Sequence, residues 1–311
     1  LDDGEATQTV TFPAPAPGAY RTRAVNAGNR KVAYRGSLGF AVTKTETEAS
    51  QERATADRPD VMAGPQLHVL YVVPTNGVDE AFDTNGVIED SVAAMNTWFE
   101  QQTPGRRVRL DTYLDREGHT RLDVSFVQGW HTGAAYATGA AGPFGAFIAV
   151  TDELAARGWT AKPRLKRYLV YFAGAAESPE VCGTAKVPFG DEFAQWSVVF
   201  LDSTPGCGAR DFGTPQTGGG MAEAIAAQEI QHNEGIAPPQ ARNQCRAMRF
   251  HICGVAVGGI PSRTDPEAVD VMFPFITAAL REKALDPGHD DYYQHPFAYR
   301  DLADSPFWES Q

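Results

Sequence analysis

Runs of apolar residues divide the chain into segments that predict strands. Residues 67–74, 168–172 and 196–201 are nearly continuous apolar runs, rich in Val, Tyr and Phe. Short runs of this kind are typical of strands that are buried on both faces. The pattern therefore predicts a sheet at the centre of the fold that contains these three strands.

Other segments show the spacing of helices or of half-buried strands. Residues 86–102 and 144–157 repeat their apolar side chains close to every 3.6 positions, which predicts two helices, and Gly158 ends the second. Residues 107–113 and 122–127 instead alternate apolar and polar positions, which predicts strands with one face in water. We expect one main domain in which these helices and strands pack together.

The composition of the chain changes twice near its amino end. Residues 1–45 combine short apolar runs with turns rich in Pro, Gly and Asn, which predicts a small β segment. Its sequence resembles part of an immunoglobulin-like or fibronectin-like module, although it is too short for a whole sandwich. Residues 46–64 are polar and charged without apolar periodicity, which indicates a linker. The main domain is then expected at residues 65–311.

The segment that carries candidate chemistry is a further predicted helix, residues 222–235. Three glycines, residues 218–220, precede it, and Gly235 with two prolines soon after predicts where it ends. Gln228 and His232 are four positions apart, so they lie one above the other on the same helix face. Glu229 lies beside them.

The run Gln228 to Gly235, read as QEIQHNEG, resembles the metal-binding helix of the zincin metallopeptidases, H-E-x-x-H-x-x-G. Glutamine replaces the first histidine. The resemblance implies that His232 is a metal ligand, that Gln228 occupies a ligand position, and that Glu229 is the general base for a water molecule. The position that holds the third ligand of the metzincins is Pro238 here, and proline cannot ligate a metal.

The resemblance extends downstream over about residues 66–307. Met272, in the run D-V-M-F, matches the methionine turn that passes beneath the metal, and residues 286–293 match the closing segment of secreted bacterial zincin-like proteins. Because such families place further histidines in the loop after the active helix, His251 is the candidate replacement ligand; an ordinary loop histidine is the alternative. The implied fold is α+β: a twisted mixed sheet with a backing helix and an active-site helix, plus the small N-terminal β segment.

Charge and hydropathy exclude several classes of partner. The formal net charge is −12 and the basic residues are scattered, which argues against nucleic acid and against an anionic membrane as partners. No apolar run is long enough to cross a bilayer, so we expect no membrane insertion. The sequence also lacks a serine nucleophile elbow, a P-loop and a dinucleotide-binding glycine motif.

The four cysteines favour a secreted protein with two local disulfides. Three pairings are possible, and sequence proximity favours Cys182 with Cys207 and Cys245 with Cys253. A cysteine metal site is the alternative, but no C-x-x-C pair occurs. The chain begins at Leu1 without Met, as a processed chain does, so an extracellular or periplasmic location is expected.

Two functions are consistent with these residues, and the sequence leaves open whether the protein is an enzyme. The first is a secreted pseudo-peptidase without a cofactor, whose scaffold binds a protein or peptide. The second is an active metallohydrolase that holds zinc through Gln228, His232 and His251, with Glu229 as general base. A catalytic zinc normally has three strong protein ligands, and a carboxamide is a poor one. The sequence therefore favours the first.

Overall fold

The computed structural model describes ten stretches of the chain: residues 52–139, 144–160, 165–188, 194–203, 207–237, 240–245, 248–253, 269–275, 278–296 and 300–310. They belong to one compact unit, Gln51–Gln311. The predicted N-terminal β segment, residues 1–45, lies outside the described residues.

The described residues form strands and α-helices, with four strands in succession after the first helix. The strands are β1 (Gln66–Val73), β2 (Arg106–Val108), β3 (Thr112–Leu114), β4 (Thr120–Leu122), β5 (Val124–Gln128), β6 (Lys166–Phe172), β7 (Gly183–Ala185), β8 (Trp196–Phe200) and β9 (Trp308–Ser310). The helices are α1 (Val87–Gln102), α2 (Gly133–Thr138), α3 (Gly145–Ala156) and α4 (Met221–Glu234). Two short 3-10 helices, Leu280–Glu282 and Leu302–Asp304, follow α4.

A five-stranded mixed sheet forms the centre of the fold. Its strand order is β5-β1-β6-β8-β7, in which β5, β1, β6 and β8 are parallel and β7 is an antiparallel edge strand. Every residue of β1 and β8 is buried. The predicted mixed sheet is therefore confirmed, and the three apolar runs of the sequence are its central strands.

The two faces of the sheet carry separate hydrophobic cores. In β1, Val69 and Tyr71 pack in the core that contains the apolar residues of α1 and α4. Leu70 and Val72 pack in the core that contains the apolar residues of α3. Successive side chains of a strand point to opposite faces, so one strand supplies both cores. As a result, α1 and α4 lie against the same face of the sheet.

The predicted strand at residues 107–113 is wrong as one element. The structure divides it between β2, which pairs with β9, and β3, which pairs with β4. Between these strands, Arg109 and Asp111 donate their backbone N–H groups to Phe307 and Leu67 over 2.8 and 2.9 Å. The side chain of Asp111 is fully buried, and its Oδ2 lies 2.6 Å from Nδ1 of His68. The prediction of a wet face for residues 122–127 also fails for β5, in which residues 124–127 are all buried.

Residues 52–64 form the second part of the predicted linker, and several of them contact the main sheet. Phe126 donates its backbone N–H to Ala54 over 2.7 Å. Arg58 donates through its backbone N–H and its guanidinium to the buried carboxylate of Asp123, over 2.8 and 2.5 Å. Arg53 forms an ion pair with Asp83 over 2.7 Å. These residues are thus held against the sheet mainly by polar contacts.

Both predicted disulfides are confirmed. Cys182 is bonded to Cys207 with a Cα–Cα distance of 5.3 Å, and Cys245 to Cys253 with 4.9 Å. Disulfides persist in oxidising compartments, which agrees with the expected secretion. Among the described residues, no helix has both the length and the apolar character that a bilayer-spanning segment needs.

Candidate functional site

Helix α4 is fixed at both ends by contacts that its flanking glycines allow. A Cβ on Gly220 would lie 2.2 Å from the carbonyl oxygen of Asp211, so this position requires glycine. The Glu223 carboxylate accepts N–H bonds from Gly213 and Gly220, which satisfies backbone donors at the start of the helix. Gly235 ends the helix at a left-handed φ of 73°, which glycine adopts without strain.

The side chain of Gln228 is bound to the segment that holds the predicted methionine turn. Its amide nitrogen donates to the carbonyl oxygen of Phe273 over 2.7 Å. Met272 is fully buried beside it, and its backbone N–H donates to Asp270 over 2.6 Å. The first ligand position of the motif is therefore occupied by an amide that uses its nitrogen to hold this segment against α4.

The structure brings His232 and His251 together, although 19 positions separate them. Their Nε2 atoms lie 3.3 Å apart, and the rings meet edge to face with centroids 4.7 Å apart. Nδ1 of His251 lies 3.1 Å from the carbonyl oxygen of Arg249, to which it donates. Since the donating nitrogen of a neutral imidazole is then used, Nε2 of His251 carries the lone pair that faces His232. Within the described chain, Nδ1 of His232 has no hydrogen-bond partner.

Burial shifts the pKa of all three titratable groups at this site. Burial, and then the charge of His251, hold the pKa of His232 well below its ordinary value. Burial also lowers the pKa of His251. Burial raises the pKa of the Glu229 carboxyl to about 8. Near neutral pH both imidazoles are therefore neutral bases, and Glu229 is largely protonated.

Edge strand β7 lies directly over Glu229. A Cβ on Gly183 would lie 2.7 Å from Cγ and 2.8 Å from Oε1 of Glu229. The neighbouring strand β8 adds a contact, because the Ser197 hydroxyl donates to the carbonyl oxygen of Glu229 over 2.9 Å. The glutamate is only 5% exposed as a result.

The residues fit a zinc ion in part. Two nitrogen ligands at Zn–N distances of about 2.0–2.1 Å lie about 3.3 Å apart when the ion is tetrahedral. The Nε2 atoms of His232 and His251 have this separation. However, among the described residues no third His, Cys, Asp or Glu donor joins them in a cluster of metal-ligand size. The described residues thus supply two imidazole donors where a catalytic zinc site needs three protein ligands.

Two other clusters have the composition of a cation site. In the first, Asp57, His68, Asp111 and Asp123 converge, but Lys166 already donates to Asp57 and Asp111 over 2.6 and 2.7 Å. The ammonium group of Lys166 therefore occupies the position that a metal cation would take among these carboxylates. The long-range pairing of strands creates this cluster, so sequence spacing gave no signal.

The second cluster is Asp286, Asp290 and Asp291. Asp286 accepts backbone N–H bonds from residues 290–293, with distances between 2.8 and 3.3 Å. Asp291 accepts from the backbone and side chain of Asn243 over 2.7 and 2.9 Å. These carboxylates therefore hold the turn at residues 286–293 through hydrogen bonds.

A surface cavity of about 460 Å³ lies at the carboxyl end of α4, lined by Arg167, Glu234, Ile236, Arg300 and Phe307 among others. Residues 232 and 234 differ by about 200° around the helix. The cavity therefore lies away from the histidine pair.

Comparison with solved structures finds a distant similarity to OgpA from Akkermansia muciniphila. The wild-type crystal structure is 13% identical, the match covers 60% of this chain and 52% of that one, and the TM-score is 0.31. Catalytically inactive OgpA in complex with an O-glycopeptide substrate, glycodrosocin, matches at 13% identity, 60% and 51% coverage and a TM-score of 0.30. The chain thus spans about half the length of OgpA. No protein-family profile and no curated protein matches the chain.

Proposed function

We propose that this chain is a secreted, peptidase-related protein of zincin-like fold that binds peptides at a site no longer able to hold a catalytic metal. One observation carries this proposal. The residue at the first ligand position, Gln228, directs its amide nitrogen to the carbonyl oxygen of Phe273 over 2.7 Å. The second position, His232, faces another imidazole instead of a complete set of metal ligands.

The arrangement of α4 supports the zincin-like part of the proposal. Helices α1 and α4 share one face of a mixed sheet, as a backing helix and an active-site helix do. On α4, Glu229 lies against the antiparallel edge strand, and Gln228 contacts the segment that contains Met272.

The position of β7 supports peptide binding. This strand is the last in the sheet order, and the edge strand of a sheet offers backbone N–H and C=O groups to an extended peptide. Because Gly183 lies against Glu229, a peptide paired with β7 would pass close to α4. The protein's net charge of −12 favours a basic peptide over an acidic one.

A second candidate function is an active metallohydrolase, which the 3.3 Å separation of the two Nε2 atoms favours. In this alternative His232 and His251 would hold a zinc ion, which supplies Lewis-acid chemistry when bound. Glu229 would accept a proton as the general base. Because burial raises the pKa of its carboxyl to about 8, most of it would be ionised, and able to accept that proton, only above pH 8.

Zinc binding and peptide cleavage separate the two functions. Three proteins would be compared: wild type, His251→Ala and Glu229→Gln. Each would be purified without chelator and analysed for zinc, and its metal-free form would then be titrated with zinc. His119→Ala, at an exposed turn, is the matched control. We expect no stoichiometric zinc and no cleavage of a decapeptide library, but binding of basic members of that library. Stoichiometric zinc with cleavage that Glu229→Gln abolishes would overturn the pseudo-peptidase and support the hydrolase.

A further inference from the structure

His251 reaches the site from a short loop that a disulfide closes. Cys245 and Cys253 bracket the loop, and His251 is two positions before the second cysteine. The backbone N–H of Cys245 donates to the carbonyl oxygen of His251 over 2.8 Å. The bridge and this hydrogen bond therefore hold the same short part of the chain.

The backbone before His251 has a conformation that needs outside support. Phe250 adopts a φ of 67°, in the left-handed region that residues with a bulky side chain rarely occupy. Such a conformation persists only where the surrounding structure imposes it. A closed loop supplies that constraint, because it removes the extended alternatives open to a free chain.

Apart from the bridge, backbone hydrogen bonds hold the described part of the loop, among them one from the N–H of Cys253 to the carbonyl oxygen of residue 243 over 2.8 Å. Ile252 is its one fully buried apolar side chain apart from the cysteines, and it donates its backbone N–H to Met272 over 3.0 Å. Arg249, which accepts from the His251 ring, is exposed. Apolar burial thus contributes little to the position of the imidazole.

The geometry points to Cys245 and Cys253 as positioning residues: their bridge holds the His251 imidazole against His232. This inference deepens the proposed function, because it names what keeps a residue of that site in place. Opening the bridge releases His251 from His232 without unfolding the sheet. The other bridge, Cys182–Cys207, spans β7 and β8 and does not enclose His251.

Proton NMR tests the inference on metal-free protein that is deuterated except at its histidine rings. Edge-to-face rings 4.7 Å apart give a cross-peak between ring protons of His232 and His251, assigned with His232→Ala and His251→Ala. We expect Cys245→Ser/Cys253→Ser to lower this cross-peak at least fivefold. The matched control, Cys182→Ser/Cys207→Ser, should keep it. An undiminished cross-peak in the first variant overturns the inference.

A second measurement covers the case in which the serine variant does not fold. Wild-type protein would be treated with a dithiol until mass spectrometry after alkylation shows both Cys245 and Cys253 as thiols. The reagent's thiolate breaks the protein S–S bond, the reagent closes to a cyclic disulfide, and the two cysteines take up the protons. Loss of the cross-peak supports the inference, and its persistence overturns it. Since no metal or substrate is involved, failure of the proposed function leaves this result unchanged.

Discussion

Gly183 of β7 lies so close to Glu229 of α4 that a Cβ on the glycine would be 2.8 Å from the carboxyl Oε1. The contact joins the edge of the sheet to the most strongly desolvated acid of the candidate site. It also explains why the edge strand carries glycine at this position: a larger residue would push the strand away from the helix.

We predict that Gly183→Ala destabilises the protein. The new methyl group would meet Cγ2 of Ile225 at 2.6 Å and Cγ of Glu229 at 2.7 Å, inside a buried contact. Overpacking of this kind typically costs about 1–3 kcal/mol. Urea denaturation checks the change in the free energy of unfolding. Gly133→Ala is the control, because its methyl group would meet its nearest neighbours at 3.9 Å; equal stabilities of the two variants would contradict the prediction.

We predict that Gln228→His restores zinc binding. The substitution places a third imidazole four positions before His232, on the same helix face. It also removes the bond from Gln228 to Phe273, which costs stability by about 1 kcal/mol. Calorimetric titration should show zinc affinity at least tenfold above that of the wild type. The same substitution combined with His251→Ala should lose the gain; if the gain persists, His251 is not part of the ligand set.

The Glu229 carboxyl should make stability fall as pH rises through the weakly acidic range. Its pKa is raised to about 8 by burial, whereas the unfolded carboxyl titrates near 4.5. Between these values the unfolded state loses a proton that the folded state keeps, so ionisation favours unfolding. Glu229→Gln should therefore be more stable than wild type by roughly 1–3 kcal/mol at pH 7 and not at pH 4.

Urea denaturation at a series of pH values measures this difference. The exposed Glu117, in the turn between β3 and β4, supplies the control Glu117→Gln, which should not change the pH dependence. If the stability difference between Glu229→Gln and wild type is constant from pH 4 to pH 8, the pKa of Glu229 is not raised by burial and the prediction is wrong.

His232, in contrast, should make the free energy of unfolding fall as the pH decreases. Its pKa is held well below 6.5 by burial and by His251, so the unfolded state takes up a proton first as the pH falls. Its contribution to stability is therefore lost from about pH 6.5 downward. His232→Gln should show a flatter decline of the free energy of unfolding between pH 6.5 and pH 5. A decline in His232→Gln as steep as in the wild type would contradict the prediction.

The buried pair of Arg167 and Glu234 gives a prediction about the carboxyl end of α4. Arg167 donates to Glu234, which also accepts from the Ser305 hydroxyl, and both charged side chains are almost fully buried. Arg167→Met leaves a buried carboxylate without its cation, which typically costs about 3–5 kcal/mol. Replacing both residues with methionine should cost less than the single change. A double variant less stable than Arg167→Met would contradict this account.

The local elements of the fold were largely predictable from apolar spacing. The predicted helix at residues 86–102 is α1, and the one at 144–157 is α3, each within one residue at either end. Strand β7 and helix α2 were not predicted, because neither the three residues Gly-Thr-Ala nor six residues of which only Tyr136 is large show a periodic pattern. The division of residues 107–113 depends on backbone partners, Phe307 and Leu67, that are far away in the sequence.

The sequence by itself determined the helix that carries Gln228, Glu229 and His232 and the central strands, and it favoured the observed pairing of the cysteines. Each of these follows from the spacing of residues within a short part of the chain. Within a helix or a strand, that spacing fixes the side to which each side chain points. Only the tertiary structure decided that His251 faces His232, that Phe273 accepts from Gln228 and that Gly183 covers Glu229. These contacts join loops and a strand to the helix, so they depend on how the whole core packs, and no local pattern encodes that.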